Sequence, residues 1–346
     1  MANQKVSVQV LNWNGKKFLK GCFDSLLKQD YHPLELIFID NHSSDSSVEF
    51  IERAYKKEIK IRKLKLIKFE KNLGFCEGNS KPYRESSSKY VLILNNDIKI
   101  PSRDFISCLV ECAKKHNATL VGGVERKFDA KEEKKEEKYH TLNVVGFNAN
   151  NVIEGDDVFY VNGSCILVDK EKNGNELFPE EYFAYGEDVY LGWKTRLTGK
   201  TAVYTKKAVY IHYGSATSGK RSLFLRRYAE KNRIANLLIF FSPKTLIKIF
   251  PLFLFENFIK IVYSLKYPKL LKALFSAFFW DIRHLGFILE NRKKIQAERK
   301  ISDEELIKLM SYKVFPEHIT PSISNFLNKI AKFYCRMFAI KTYDLN

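Results

Sequence analysis

With 346 residues, 45% of them hydrophobic, the chain is long enough for one large domain or two and too apolar for wholesale disorder. It is basic, with 58 Lys and Arg against 40 Asp and Glu and a net charge of +18, but the excess is local: Thr205 to Lys300 holds 20 basic and 5 acidic residues. Those positive residues are interleaved with long apolar runs and no nucleic-acid-binding motif accompanies them, which speaks against a nucleic-acid partner.

The first strand begins almost at once, over 6–12, so no signal peptide is expected ahead of it and the chain is placed in the cytoplasm. A helical pattern follows with Phe18, Cys22, Leu26 and Leu27 on one side. Residues 34–40 are almost entirely apolar until Asp40, and 45–55 read as a helix. Residues 63–69 alternate Lys with Leu or Ile, as a half-exposed strand near a sheet edge does. After Asn72-Leu-Gly-Phe75 and a short helix, 90–94 is a run of β-formers without alternation, the pattern of a strand buried on both faces. A helix follows over about 102–116. Strands alternating with helices imply an α/β fold, a mostly parallel sheet with helices on both faces. Right-handed crossovers then place the carboxyl ends of the strands on one side. Asn12, Asp40 and Asp97 each end such a strand, so they are expected to line one crevice, where open sheets bind their ligands.

Residues 125–138 mix Lys and Glu and read as a solvated insertion. Strand character returns over 158–168, around Asn162-Gly-Ser-Cys165. Glu187-Asp188 opens a helix carrying Trp193 and Leu197, and 201–212 is a last β-like stretch. The six cysteines (Cys22, Cys76, Cys108, Cys112, Cys165, Cys335) make no CxxC pair and no zinc-like spacing, and read as reduced small hydrophobes.

From Ile234 the texture becomes Leu, Ile, Phe and Tyr punctuated by Lys. Its longest charge-free piece there, 234–243, is about half of the roughly 20 residues a membrane-spanning helix needs. Lys244, Lys248, Glu256 and Lys260 recur near helical spacing, with Phe250, Leu254 and Phe258 on other faces. Lys269, Lys272, Arg283 and Arg292 punctuate a second such segment. A lysine-rich face beside an apolar one suits a helix lying in an anionic membrane surface, peripheral at the inner face of the cell membrane; a helical subdomain packed on the sheet is the other reading. The chain is thus divided into an α/β domain, 1–235, and a basic helical region, 236–346.

Two clusters carry candidate chemistry. Asn95, Asn96 and Asp97 could hold a hard cation and, through it, a phosphate, although Asn and Asp also favour turns. Arg226, Arg227, Tyr228, Asn232 and Arg233 follow the last strand. Arginine suits bidentate phosphate contacts, so Arg226, Arg227 and Arg233 are candidate diphosphate contacts; a solvated helix face would read the same.

Seven segments in order resemble family 2 glycosyltransferases with the GT-A fold: Val-Gln-Val-Leu-Asn-Trp-Asn-Gly (8–15), Ile-Asp-Asn-His-Ser-Ser-Asp-Ser-Ser (39–47), Asn-Leu-Gly-Phe (72–75), Leu-Asn-Asn-Asp (94–97), Val-Asn-Gly-Ser-Cys-Ile-Leu-Val (161–168), Phe-Ala-Tyr-Gly-Glu-Asp-Val-Tyr-Leu (183–191) and Val-Tyr-Ile-His-Tyr-Gly (209–214). The likeness covers residues 5 to about 235 and is to the rhamnosyltransferase-like branch of surface-polysaccharide synthesis. It implies a Rossmann-like GT-A sheet with a C-terminal helical region. It also implies inverting, metal-dependent transfer of a sugar from a nucleoside-diphosphate donor (UDP or dTDP) to a glycan or lipid-linked acceptor. Asp40 would accept from the N–H edge of a uracil or thymine, with Asn12 close by. Gly74 and Gly78 would allow close backbone approach, with Phe75 and Asn79 beside them, and Asn95, Asn96 and Gly163 would complete the donor pocket. Asp97 would bridge Mg2+ or Mn2+ to the diphosphate, with His212 completing the metal site. Asn95 stands at the first acidic place of the stricter Asp-x-Asp pattern and brings no charge, which leaves a catalytically inactive sugar-nucleotide-binding or assembly protein as the alternative. Asp188 matches the catalytic base and Glu187 would orient the base or the acceptor. One base without a protein nucleophile implies inversion.

Overall fold

The structure is a computed structural model that describes residues 4–127, 140–150, 157–214, 223–315 and 321–345. Its strands are β1 (Val6–Asn12), β2 (Leu34–Asp40), β3 (Leu64–Lys68), β4 (Tyr90–Asn95), β5 (Ile98–Lys99), β6 (Leu120–Lys127), β7 (His140–Leu142), β8 (Asn148–Asn150), β9 (Cys165–Asp169) and β10 (Ala202–His212). Its helices are α1 (Lys16–Leu27), α2 (Ser47–Ala54), α3 (Lys56–Lys60), α4 (Gly74–Glu85), α5 (Phe105–Lys115), α6 (Lys170–Asn173), α7 (Glu187–Leu197), α8 (Leu223–Phe240), α9 (Pro243–Ser264), α10 (Pro268–Arg283), α11 (Leu285–Ala297), α12 (Asp303–Ile307) and α13 (Pro321–Met337).

Eight strands form one sheet in the order β3-β2-β1-β4-β9-β6-β10-β5. β1 to β4 run parallel, β9 lies antiparallel between β4 and β6, and β6 and β10 are parallel again. The non-alternating apolar run of β4 is buried on both faces, and so is β1, although it alternates Val with Ser7 and Gln9, as interior strands of a doubly covered sheet must be. The alternating β3 sits at the edge. Register sets Asn12 opposite Asp40 and Leu11 opposite Asn95, so these strand ends finish level.

Each sheet face has its own apolar cluster. Leu19, Phe23 and Leu26 of α1 pack with Phe38, Leu92 and Phe105 on one side. On the other, Val91, Ile93 and Trp193 pack with Phe240, Ile295, Leu327 and Cys335, so the C-terminal helices close this core. Trp193 stacks on Phe240 at 5.1 Å between ring centroids. The expected boundary at 235/236 therefore falls inside α8. The six cysteines are free and buried.

Three sequence expectations change. Arg233 is no surface phosphate ligand: it is buried and pairs with Glu230 and Glu256. Lys260 leaves the expected lysine face and turns inward to Glu230 (2.9 Å) and Glu256 (2.8 Å). Helical spacing alone cannot say which stripe faces in, and here ion pairing decides it. Burial alone would raise the Glu230 carboxyl, but Arg233 and Lys260 hold it down at about 2. The strand expected over 158–168 shortens to β9, because the Asn162 side chain accepts from Ser164 N–H (2.9 Å) and makes a turn. Most of the expected insertion, 128–138, lies outside the described residues, while 125–127 end β6.

Removing one member of a buried ionic set leaves uncompensated charge and costs about 3–5 kcal/mol. Arg233→Ala is expected to lower the unfolding free energy by that order in urea denaturation; a loss under about 1 kcal/mol, typical of a surface pair, would contradict the assignment.

Candidate active site

A cavity of about 670 Å³ opens at the carboxyl edge of the sheet. Nine of the expected site residues line it: Gly74, Phe75, Asn95, Asn96, Asp97, Gly163, Glu187, Asp188 and His212.

Behind the lining lies a hub of polar side chains. Fully buried Asn12 accepts from Asn96 Nδ2 (2.7 Å) and donates to Ser43 Oγ (3.0 Å) and Asp40 Oδ1 (3.4 Å). Asp40 also accepts from Ser43 N–H (3.0 Å). Three parallel strands are thus tied together at their ends. The next residue, Asn41, reaches the cavity wall, donating to Asn72 and Gly74 O and accepting from Leu73 N–H. Gly74 has φ +75°, and a Cβ there would stand 2.5 Å from Phe183 O. Phe183 O in turn accepts from Phe75 N–H (2.6 Å) and Cys76 N–H (3.0 Å), so the start of α4 is fastened to the loop before α7. Gly78 packs its backbone on Leu11, and Asn79 is fully buried and bonds back to Phe75 O. Both support the wall from behind.

Asp97 and His212 meet from β4 and β10, with Asp97 Oδ1 and His212 Nε2 3.1 Å apart. Glu125 of β6 stands at the other ring nitrogen, 3.2 Å from Nδ1. Burial would lower the His212 pKa, but the Asp97 and Glu125 carboxylates beside the ring raise it to about 9. The imidazole is therefore a cation at neutral pH until something displaces its proton.

Glu187 and Asp188 open α7, whose exposed N–H groups favour negative charge. Asp188 accepts from Gly163 N–H (3.0 Å) and Val189 N–H (2.8 Å), one bond on each oxygen. Glu187 is buried and its Oε2 has no partner among the described residues. Burial, then the neighbouring Asp188, pushes its carboxyl up to about 8. Burial thus favours the neutral form of the Glu187 carboxyl.

The loop ahead of this pair has three left-handed residues, Phe183 (φ 62°), Tyr185 (φ 66°) and Gly186 (φ 82°). Such backbone persists only where its surroundings dictate it. α8 supplies them. Lys231 Nζ donates to Glu181 O (2.9 Å) and Tyr182 O (3.3 Å), Asn232 Nδ2 to Tyr182 O (3.2 Å) and Ala184 O (3.0 Å), and Asn236 Nδ2 to Gly186 O (3.1 Å).

Residues 7–175 match the family model for Glycosyl transferase family 2. The match takes in the strand-end hub, Gly74, Asp97 and Gly163, and stops short of Asp188 and His212. Glycosyltransferase GlyG of Streptococcus pneumoniae serotype 4 is 25% identical over 121 residues, which is 35% of this chain and 39% of that protein. The chain thus spans a third to two-fifths of the length of the first curated relatives it matches. The structure of S. aureus TarS 1-349 with UDP-GlcNAc superposes with a TM-score of 0.56 at 16% identity, over 97% of this chain and 90% of that one. GalNAc-T7 with UDP, GalNAc and Mn2+ gives 0.59 at 11% identity, over 71% and 50%. At these identities the likeness is one of fold: a GT-A-like, mostly parallel sheet with a helical C-terminal region.

The remaining expected site residues lie elsewhere. Arg226 and Arg227 are exposed on the first turns of α8, beside Phe224 and Leu225 that do line the cavity. Sequence reading missed Glu125, placed in a charged run, and Trp13, which lines the cavity with 43% of its surface exposed. It also missed Lys231 and Asn236, for which helical position gave no signal. The aromatic mouth of Phe183, Tyr185 and Phe224 was hidden in two separate segments.

The Glu187 carboxyl has a folded-state pKa above its ordinary value. Its contribution to stability is complete below the ordinary carboxyl range and is lost as pH rises through about 8. Glu187→Gln keeps the shape and abolishes the titration. Thermal melts from about pH 5 to about pH 9 are expected to show the variant gaining on the parent as pH rises; parallel curves would place no shifted proton on Glu187.

Proposed function

We propose that the protein is an inverting, metal-dependent glycosyltransferase. It moves a sugar, rhamnose-like if the motif likeness holds, from a UDP or dTDP donor to a hydroxyl of a glycan or lipid-linked glycan at the inner membrane face. The observation that carries this reading is the convergence, in one cavity, of Asp188 with the Asp97–His212 pair.

The donor set fits a divalent cation. A carboxylate oxygen and an imidazole nitrogen point at one spot, and a second carboxylate backs the other ring nitrogen, the usual setting of a ligating histidine. Asp97 and His212 would hold the ion and Glu125 would orient His212, which must give up its proton to bind. Among the described residues no group of three or more His, Cys, Asp or Glu side chains could hold a metal. The remaining ligands would therefore be diphosphate oxygens and water. An imidazole in the set suits Mn2+ better than Mg2+. When bound, the cation would offset the charge gained by the departing nucleoside diphosphate.

The chain's own groups supply the rest. Backbone N–H bonds to both Asp188 oxygens hold the carboxylate in place, and Asp188 would accept the acceptor hydroxyl's proton as it attacks. Glu187, neutral beside it, leaves Asp188 as the ionised member and can donate a hydrogen bond to a sugar hydroxyl. Trp13 offers a ring face at the cavity for stacking, and Phe183, Tyr185 and Phe224 form an apolar rim that limits water.

Donor turnover, screened over UDP- and dTDP-sugars with Mn2+, should fall by about 10²–10⁴ in kcat for Asp188→Asn. The KM for donor should stay near the parent value, since the lost interaction belongs to the transition state. Unchanged turnover would remove Asp188 from the base role.

A further inference from the structure

The C-terminal helices have their polarity turned inside out. On α9, Ile247, Phe250, Leu254, Phe258, Ile261 and Leu265 recur at spacings of three and four and are 38 to 76% exposed. The inward stripe of the same helix carries Thr245, Glu256 and Ser264 beside Ile249 and Leu252. On α10, Phe275, Phe278 and Ile282 face out, while Ala273, Ala277 and Asp281 face in. On α13, Ile323, Phe326, Ile330, Phe333 and Met337 make an unbroken outer stripe, with Ser324, Asn328, Ala331 and Cys335 beneath. A helix packed on a water-soluble protein does the opposite, and a surface with this many large apolar side chains is one that is covered in use. α13 lies beside the first half of α9, where Tyr334 Oη donates to Lys248 O (2.8 Å).

Charge decides what covers it. Of the five acids between Thr205 and Lys300, Glu230, Glu256 and Asp281 are buried. Glu230 and Glu256 are spent on Arg233 and Lys260. The exposed charge around the stripes is therefore mostly basic: Lys244 before the α9 stripe, Lys266 between α9 and α10, Lys269 and Lys272 in the first turns of α10, and Arg283 at its end. A second copy of the chain would bring such lysines against each other across a two-fold interface. An anionic lipid surface meets both features, with basic ends at the headgroups and apolar stripes below them. Among the described residues no helix is long and apolar enough to cross a membrane.

We propose that α9, α10 and α13 insert their outer stripes into one leaflet of an anionic bilayer and lie in its plane. This deepens the membrane placement in the proposed function. It is measured without donor or acceptor, so its failure leaves the transfer chemistry untouched.

The test is co-sedimentation of the full chain with phosphatidylcholine–phosphatidylglycerol vesicles, at low salt and at about 1 M NaCl, where charges are screened beyond about 3 Å. The parent should bind, and a large part should stay bound in high salt. Phe250→Ser with Leu254→Ser and Phe258→Ser, and separately Phe326→Ser with Phe333→Ser, should each lower partitioning at least about tenfold with little change in melting temperature, since these side chains are exposed. Absence of binding, full release by salt with the stripe variants behaving as the parent, or a lipid-free dimer dissolved by the same substitutions would each overturn the proposal.

Discussion

The grip of α8 on the loop before α7 is the constraint on which the catalytic edge depends. Three left-handed residues in a row of four would not hold their shape unaided, and every carbonyl from Glu181 to Gly186 except that of Phe183 is met by Lys231, Asn232 or Asn236. The Phe183 carbonyl is met instead by the first N–H groups of α4. One loop therefore joins the start of α4, the start of α7 and the middle of α8. Lys231 also sits 3.7 Å from the centre of the Trp280 ring on α10, so the C-terminal helices are mechanically part of the site.

Electrostatics then sorts the carboxylates of the cavity by environment. Asp97 and Glu125 flank His212 and hold it positive. Glu187, more buried and with an unmet oxygen, keeps a proton. Asp188 has a backbone N–H on each oxygen. Two adjacent acidic residues thus stand in different environments, one desolvated and one bonded by backbone N–H groups.

The sheet was legible because its signals are local. An apolar run without alternation gave β4, alternation of Lys with Leu or Ile gave the edge strand β3, and the polar residues that end β1, β2 and β4 gave the crevice. The approach of Asp97, Asp188 and His212 to one cavity followed from the family resemblance and strand direction together. What failed was the question of which face of a helix looks inward. Lys260 and Arg233 have the spacing of a solvated basic stripe, and only the acids Glu230 and Glu256, brought opposite them by packing, turn them into core. Glu125 was unreadable for a related reason: a charged run reads as surface, yet its first residue belongs to β6 and is spent on His212. Asn41 rather than Asp40 reaches the cavity wall because side chains alternate at a strand end, a one-residue matter that no pattern resolves.

The proposed transfer is a single displacement at the anomeric carbon, with Asp188 as the base. The anomeric configuration of the first-formed product, read by proton NMR against that of the donor sugar, tests it most directly. Inversion is the outcome this geometry predicts. Retention would require a second displacement through a protein nucleophile and would contradict the proposal.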